Sequence, residues 1–413
     1  MIEVLMKQLN PSVLVLNQFA KPRSETGGTR HIELFDRLRG WRFRIIAGDR
    51  DLYTCRSFST DEAGFTTVRV SHYERNDRRR ILNWVSYCAG AVWVGLRCQR
   101  PNVIYASSPH MLTPLAGWML SRLRRSRFVL EVRDLWRQSL VATGHLREGS
   151  VAHRLLSLLE RWVYRRADHI VIVSDGWRPL LERDGVDPRR VTTISNGAEP
   201  DDFRPDQRYV PLRERVPVHG RLVVYAGAHG AANNVQAVLD AAAELPEHTF
   251  VLIGDGMEKA RLVQEARSRG LSNLHFLDML PKSELAGILN GADIGLHVLA
   301  DLAVFRAGGS PNKLYDYLAA GVPVVTNVVG EPSSVARMSG AGIGVSPDSL
   351  ADGIRELAGL NESQIASMRK NAVEYMRTHK SRTVQARRLQ SVLDQQLRSN
   401  QTDAHPVIFA LRR

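Results

Sequence analysis

Cysteine is scarce: Cys55, Cys88 and Cys98 are the three in 413 residues, and no two of them form a CxxC pair. That argues against a disulfide framework and a cysteine-built zinc site, and it fits a reducing cytoplasm. Long apolar runs are missing too. The most apolar stretch, Ile81 to Cys98, is interrupted by Asn83, Ser86 and Arg97. A membrane span needs about 20 predominantly apolar residues, so a helix that is buried or lies at an interface is expected here. The first residues lack a charged region, an unbroken apolar core and a small-residue cleavage site, and no signal peptide is expected. No low-complexity run appears. Acid is short relative to base: 43 Asp and Glu against 56 Lys and Arg leave a formal charge of +13. The surplus calls for an anionic partner, whether nucleic acid, an anionic bilayer or a phosphorylated substrate. Because the basic residues carry no interleaved aromatic stacking positions, nucleic acid is not expected.

What is present is alternation. At 413 residues the chain exceeds one ordinary core and suggests two domains. Strand-length apolar runs at Ser12–Phe19, Arg42–Gly48, Asn102–Ala106, Phe128–Trp136, Ala167–Ser174 and Val191–Ile194 alternate with helical spacings. The pattern restarts at Leu222–Ala226, Thr249–Ile253, Asn273–Leu277, Asp293–Val298 and Gly321–Val325. This is the signature of α/β architecture with doubly wound parallel sheets. Between the halves, residues 199–220 are rich in Pro, Asp and Arg and read as a linker. From Asn361 to Leu397 the chain reads helical and basic.

The stretch Gly308-Gly309-Ser310-Pro311-Asn312-Lys313-Leu314-Tyr315-Asp316 organises the second half. Gly308 and Gly309 free backbone amides and leave room for a close ligand. Ser310 is placed to cap the following helix, with Pro311 at its first position. The helix dipole and Lys313 favour an anion, and Asp316, a turn further on, suits a ribose diol. Phosphate first and diol second spell a nucleotide site, although a tight loop-to-helix junction would look the same. Other turns after strands add candidates. Gly227, His229 and Gly230 follow one strand and Gly254 another; His229 would meet a phosphate or a sugar hydroxyl, or is simply a turn histidine. Gly27-Gly28 after the first strand is a second possible anion cradle. Arg133 and Asp134 end a strand at the sheet edge where ligands sit in such folds, unless they are a structural ion pair. Arg122, Arg124, Arg125 and Arg127 beside Trp118 exceed what a helix C-terminus needs and suggest contact with a membrane surface.

With these pieces in order, the chain resembles retaining glycosyltransferases of family 4, of the GT-B type, and most nearly the bacterial subgroup that builds surface polysaccharides and O-antigens. The resemblance rests on Gly27-Gly28-Thr29-Arg30-His31, Glu131 to Trp136, Asn196-Gly197, Tyr225-Ala226-Gly227 with His229-Gly230, Ile253-Gly254-Asp255-Gly256, and Ser310 to Lys313 through Pro323-Val324-Val325. It implies two Rossmann-like domains facing across a cleft: residues 1–205 for the acceptor and the membrane, 206–375 for the donor. A helix at 376–397 would pack back on the first domain, and 398–413 would form a mobile tail. It also implies a UDP-sugar donor held by Gly227, His229, Gly230, Gly254, Gly309, Ser310, Asn312, Lys313 and Asp316. The acceptor, a lipid-diphosphate-linked sugar or glycan, would meet Gly27, Gly28 and Arg133.

Two departures from the family pattern stand out. The first of its paired acids aligns with Gly308, and its Arg and Lys diphosphate clamp is absent at Gly227 to Asn233. Lys313, with Arg306, would then supply the charge, with no metal and no other cofactor. Lys313 and Asp134 are the expected catalytic residues, Asp134 for sugar positioning or proton handling. The product would be a hexosyl or N-acetylhexosaminyl transfer at the inner face of the plasma membrane. A UDP-sugar 2-epimerase of the same architecture is the alternative. A dinucleotide oxidoreductase is disfavoured, because no Gly-x-Gly-x-x-Gly directly follows the first strand.

Overall fold

The computed structural model describes residues 10–25, 29–51, 55–73, 78–204 and 208–404. The chain forms two compact units. Of the described residues, the first comprises those up to Val173, Trp177–Ile194 and those from Gln385 on; the second comprises Ser174–Gly176 and those within Ser195–Val384.

The first unit is built on strands β1 (Ser12–Leu16), β2 (Arg42–Gly48), β3 (Phe65–Val68), β4 (Val103–Ser107), β5 (Arg127–Val132), β6 (His169–Ile172) and β7 (Val191–Thr193), in the order β3-β2-β1-β4-β5-β6-β7. Every pairing is parallel. Inner strands such as Val-Ile-Tyr-Ala-Ser of β4 are buried along their whole length, because helices cover both faces of a parallel sheet. The helices used below are α1 (Arg30–Phe35), α2 (Arg78–Arg97), α3 (Leu112–Arg124) and α4 (Val151–Arg166).

The second unit carries β8 (Leu222–Ala226), β9 (Thr249–Ile253), β10 (Leu274–Leu277), β11 (Ile294–His297), β12 (Val324–Thr326) and β13 (Gly342–Gly344), ordered β10-β9-β8-β11-β12-β13 and again all parallel. Helix α5 (Asn312–Ala319) follows β11. The C-terminal helix α6 (Arg382–Ala404) sets Ala386, Leu389, Val392 and Leu393 into the core of the first unit, and Trp41 Nε1 donates to Asp394 Oδ1 at 2.8 Å.

In each sheet the strand order reverses at one place, between β1 and β4 and between β8 and β11. At such switch points the loops leaving the two strands diverge and open a crevice at the strands' carboxyl ends.

One local expectation is corrected, and two further local features stand beside it. The presumed linker is not an open tether. Within it, Pro200–Phe203 is a 3₁₀ turn and Leu212–Arg215 a short helix, and Phe203, Leu212 and Val216 are buried in the core of the second unit. Its polar composition concealed three apolar anchors. The helix after the first strand starts at Arg30 and ends at Phe35, with Arg30 and His31 buried. After β8 the chain makes a 3₁₀ turn, Ala231–Asn233, before the helix Gln236–Glu244 begins. Among the described residues, no helix is long and apolar enough to cross a membrane.

Candidate functional site

In the second unit the side chains converge at the β8/β11 switch point. Helix α5 is locked there by Tyr317, whose hydroxyl accepts from the Ala226 backbone N–H at 2.6 Å. The ring lies over Gly295, where a Cβ would come within 2.6 Å of it. Locking the helix aims Lys313, at its second position, back across the sheet edge. Lys313 Nζ donates to the Tyr225 hydroxyl at 3.0 Å and to Asn233 Oδ1 at 3.1 Å, and sits 4.4 Å from the centre of the Tyr225 ring. No described carboxylate pairs with it. The side chain is half-buried, and the protein around its ammonium lowers its pKa to about 7. A cation left without a counter-charge in a desolvated place is poised for an anion from outside.

Glycines shape the floor. A Cβ on Gly227 would lie 3.1 Å from both Cε and Nζ of Lys313, so a side chain there would press on the end of the lysine. Gly254, at φ 149°, runs so close to the Gly227 carbonyl that a Cβ would approach it to 2.0 Å. Between these turns lies His229, fully buried, its backbone N–H donating to Asp255 O at 2.8 Å. Neither ring nitrogen of His229 has a hydrogen-bond partner. Burial first, then the charges of Lys259 and Lys313, lower its pKa to about 4 against the pull of Asp255, leaving a neutral ring at ordinary pH. Gly230 opens onto Asn233, whose amide nitrogen a Cβ would meet at 3.6 Å. His297, at the end of β11, is equally buried. Its Nδ1 meets Thr326 Oγ1 at 2.8 Å and its Nε2 has no partner. Burial and the charge of Lys313 hold it well below the usual imidazole range.

The loop before α5 differs from expectation at Ser310. The N-cap is Pro311 and makes no side-chain cap bond. Instead the Ser310 hydroxyl accepts from the Asn196 N–H at 2.8 Å and donates to the Tyr315 hydroxyl at 3.2 Å, while Asn196 Nδ2 donates to Ser310 O at 2.5 Å. Ser310 therefore pins the Asn196-Gly197 turn and leaves the first amides of α5 uncapped by a side chain. Gly308 takes a positive φ of 137°, and a Cβ on Gly309 would meet nothing within 4 Å. Asn312 is exposed at the helix start and Asp316 is half-buried one turn on. Arg306 is turned away to an exposed ion pair with Asp301, Nε to Oδ1 at 2.6 Å. The help expected from it for Lys313 would require that pair to open.

In the first unit, Gly27 and Gly28 lie outside the described residues. Asp134 follows β5 with its side chain accessible to solvent, yet the surrounding protein still raises its carboxyl above the ordinary value, against the pull of Arg133. Arg133 is half-buried, its backbone N–H donating to Ser108 Oγ at 3.3 Å. Behind them Glu131 is sealed in: Arg30 Nε donates to its Oε1 at 3.0 Å and His31 Nε2 to its Oε2 at 2.7 Å, while Asn17 Nδ2 meets His31 Nδ1 at 3.1 Å. Those motif residues hold α1 to the sheet.

A further set at the β1/β4 switch point was not anticipated. His110 lies stacked on Trp84 with ring centres 4.9 Å apart, and its Nε2 meets Gln18 Oε1 at 2.6 Å. Trp136 meets the Trp84 ring edge-on at 5.5 Å. Lone aromatic and histidine residues carry no spacing signal, and only the topology gathers them.

The arginine cluster divides. Arg124 donates to Leu96 O at 3.2 Å and Cys98 O at 2.6 Å, closing the end of α2, and Arg127 pairs with Asp168 at 3.0 Å. Both serve the fold rather than an open basic face. Arg122 and Arg125 remain exposed, and Trp118 packs edge-on to Trp162 at 4.6 Å.

Two all-parallel sheets, each with a strand-order switch point, and a lysine-bearing helix start at the switch point of the second define an α/β protein of the GT-B type. Residues 36–197 match the family model described as a Glycosyl transferase 4-like domain, and residues 220–359 match Glycosyl transferases group 1. The chain belongs to the glycosyltransferases. It is 26% identical to the probable glycosyltransferase WbjE of Pseudomonas aeruginosa, over 67% of this chain and 71% of that protein. With the putative colanic acid biosynthesis glycosyl transferase WcaI of Escherichia coli K12 it shares 24% identity over 65% of this chain and 69% of that protein. Among solved structures, sucrose-phosphate synthase from Thermosynechococcus elongatus superposes with a TM-score of 0.73 at 15% identity, over 94% of this chain and all of that one, 100%. HepE of Anabaena in complex with UDP-glucose gives 0.68 at 16% identity, over 93% of this chain and 99% of that one.

Proposed function

We propose that this glycosyltransferase takes its sugar from a UDP-sugar, retains the anomeric configuration, and delivers a hexose or N-acetylhexosamine to a lipid-diphosphate-linked sugar or glycan during surface-polysaccharide assembly, at the inner face of the plasma membrane. The observation that carries the donor half is Lys313: a desolvated ammonium without a carboxylate partner, at the start of a helix and at a sheet switch point. The UDP-glucose of the HepE complex supports the donor, and the colanic acid biosynthesis for which WcaI is named supports the polysaccharide setting.

The chemistry follows from charge. As the bond between anomeric carbon and diphosphate breaks, positive charge grows on the sugar ring and negative charge on the leaving phosphate. Fixed donors aimed at that growing charge are the largest single source of rate in many enzymes, each removal costing about 10²–10³-fold in kcat. Lys313 and the backbone amides at Gly309 and Asn312 would fill this role without a metal. Asp316 would hold the ribose, and the neutral imidazole of His229 would meet a phosphate oxygen or a sugar hydroxyl. In the retaining mode the acceptor hydroxyl arrives on the face the phosphate leaves and gives its proton to a phosphate oxygen. On the first unit, Asp134 would position the sugar or handle that proton.

The test is incubation with a panel of UDP-sugars and a lipid-diphosphate acceptor. Released UDP together with a heavier lipid product is expected. Interconversion of free UDP-sugars with no transfer would point to the epimerase instead.

A further inference from the structure

We propose that α2, α3 and α4 of the first unit form a docking face for an anionic lipid bilayer; this deepens, and rests on, the membrane setting of the proposed function. A surface helix ordinarily turns its apolar stripe inward. Helix α2 does so with Tyr87 and Ala91, yet it also exposes a second stripe along the opposite side: Leu82 is 61% exposed, Val85 49% and Trp93 60%. Helix α4 does the same with Val151, Leu155 and Leu158, at i, i+4 and i+7, each more than half exposed. Leu123 on α3 is 60% exposed as well.

The stripes belong to one surface. Helix α2 packs on α3 and α3 on α4. Gly95 makes the first contact possible, since a Cβ there would come within 2.4 Å of Leu120 on α3. The Trp118–Trp162 contact joins the second pair. Large apolar side chains left exposed on three helices that pack side by side mark an interaction site.

Charge selects the occupant. Neither α2 nor α3 contains an acidic residue, and the one on α4, Glu160, is buried and held by Arg137. The cations sit against aromatic rings. Arg97 lies 3.1 Å from the centre of Trp93, and Arg166 lies 4.0 Å from that of Trp162. Trp and Arg in this combination suit the headgroup level of a bilayer, and apolar insertion with cationic attraction supplies the two components that hold interfacial helices. A second copy of the chain fits poorly, because a two-fold contact would set this acid-free face against itself.

Helix α2 also ties the face to the interior of the unit. Trp84, between exposed Leu82 and Val85, carries His110 on its ring at the carboxyl edge of the first sheet. A lipid-linked acceptor anchored beside α2 would thus meet the crevice at the β1/β4 switch point.

The test is flotation of the full-length protein with vesicles of phosphatidylcholine alone or with phosphatidylglycerol added. Binding to the anionic vesicles is expected, weakening as salt rises, with at least about a tenfold preference over neutral ones. The triple variant Leu82→Glu, Leu155→Glu, Leu158→Glu should lose that binding while melting at the wild-type temperature. It should also keep wild-type UDP release with a short, water-soluble acceptor, so that loss of docking and loss of transfer are read separately. Wild-type protein that stays off anionic vesicles overturns the proposal, as does a triple variant that floats equally well. A concentration-dependent dimer that only the triple variant abolishes would assign the face to a second copy and likewise overturn it.

Discussion

Lys313 Nζ lies 3.0 Å from the hydroxyl of Tyr225 and 4.4 Å from the centre of its ring, joining the start of α5 to the end of β8 across the point where the second sheet reverses its strand order. The contact supplies orientation without neutralisation, since a phenol accepts a hydrogen bond but carries no compensating charge. Desolvation of the Lys313 ammonium, which this contact does not offset, lowers its pKa to about 7.

UDP binding should therefore be coupled to proton uptake. The free protein holds Lys313 partly neutral above pH 7, and a diphosphate favours the charged form, so affinity should fall as pH rises from about 6.5 to 8.5. Calorimetry in buffers of different ionisation enthalpy would detect the proton, and in Lys313→Met both the uptake and this pH slope should disappear.

The same lysine should be a stability liability in the free protein. Its folded pKa lies below the unfolded value of about 10.4, so the unfolded chain binds more protons between the two. Stability from this group consequently rises as pH increases through that window, and the full penalty is felt below pH 7. Lys313→Met should melt higher than wild type at pH 6.5, with the gap narrowing toward pH 10, while turnover falls by about 10²–10³-fold.

Gly227→Ala tests the passage through which Lys313 reaches the edge. The added methyl would press on Cε and Nζ, the mobile end of a flexible side chain. Stability should change by about 1 kcal/mol or less. Activity should drop by about tenfold or more, because a misplaced charge near 1 Å off its position loses much of its effect. Thermal melts and steady-state kinetics on one preparation separate the two.

Glu131→Gln addresses the first unit. Arg30 and His31 both bond this fully buried carboxylate, and removing its charge breaks a buried ion pair, at a cost of about 3–5 kcal/mol. Burial opposes ionisation, but His31 and Arg30 win and hold its pKa well below the usual range. The stabilisation is thus present above the unfolded carboxylate value of about 4.3 and is lost as pH falls toward the folded one. Chemical denaturation at pH 7 and below pH 4 should show the variant's deficit shrinking with acid.

How far the sequence revealed this protein depends on the distance over which each signal acts. Both sheets were legible because strand and helix periods are local, and Asn102–Ala106 or Leu222–Ala226 read as strands unaided. The place of Lys313 at a helix start was legible because Gly308 to Asp316 is one continuous motif. Tyr225, Asn233 and His297 were not, since they reach Lys313 only when β8 and β11 become neighbours. Ser310 was misread for the same reason: its partner Asn196 lies 114 positions earlier. Arg124 and Arg127 looked like free surface charge because carbonyl acceptors and a distant aspartate leave no mark in composition.

A crystal of the protein soaked with UDP is the most direct test of the account. It should show the diphosphate within about 3 Å of Lys313 Nζ, beside Gly309 and the first turn of α5, with the ribose hydroxyls at Asp316. Nucleotide bound anywhere else, with Lys313 still on Tyr225 and Asn233, would contradict it.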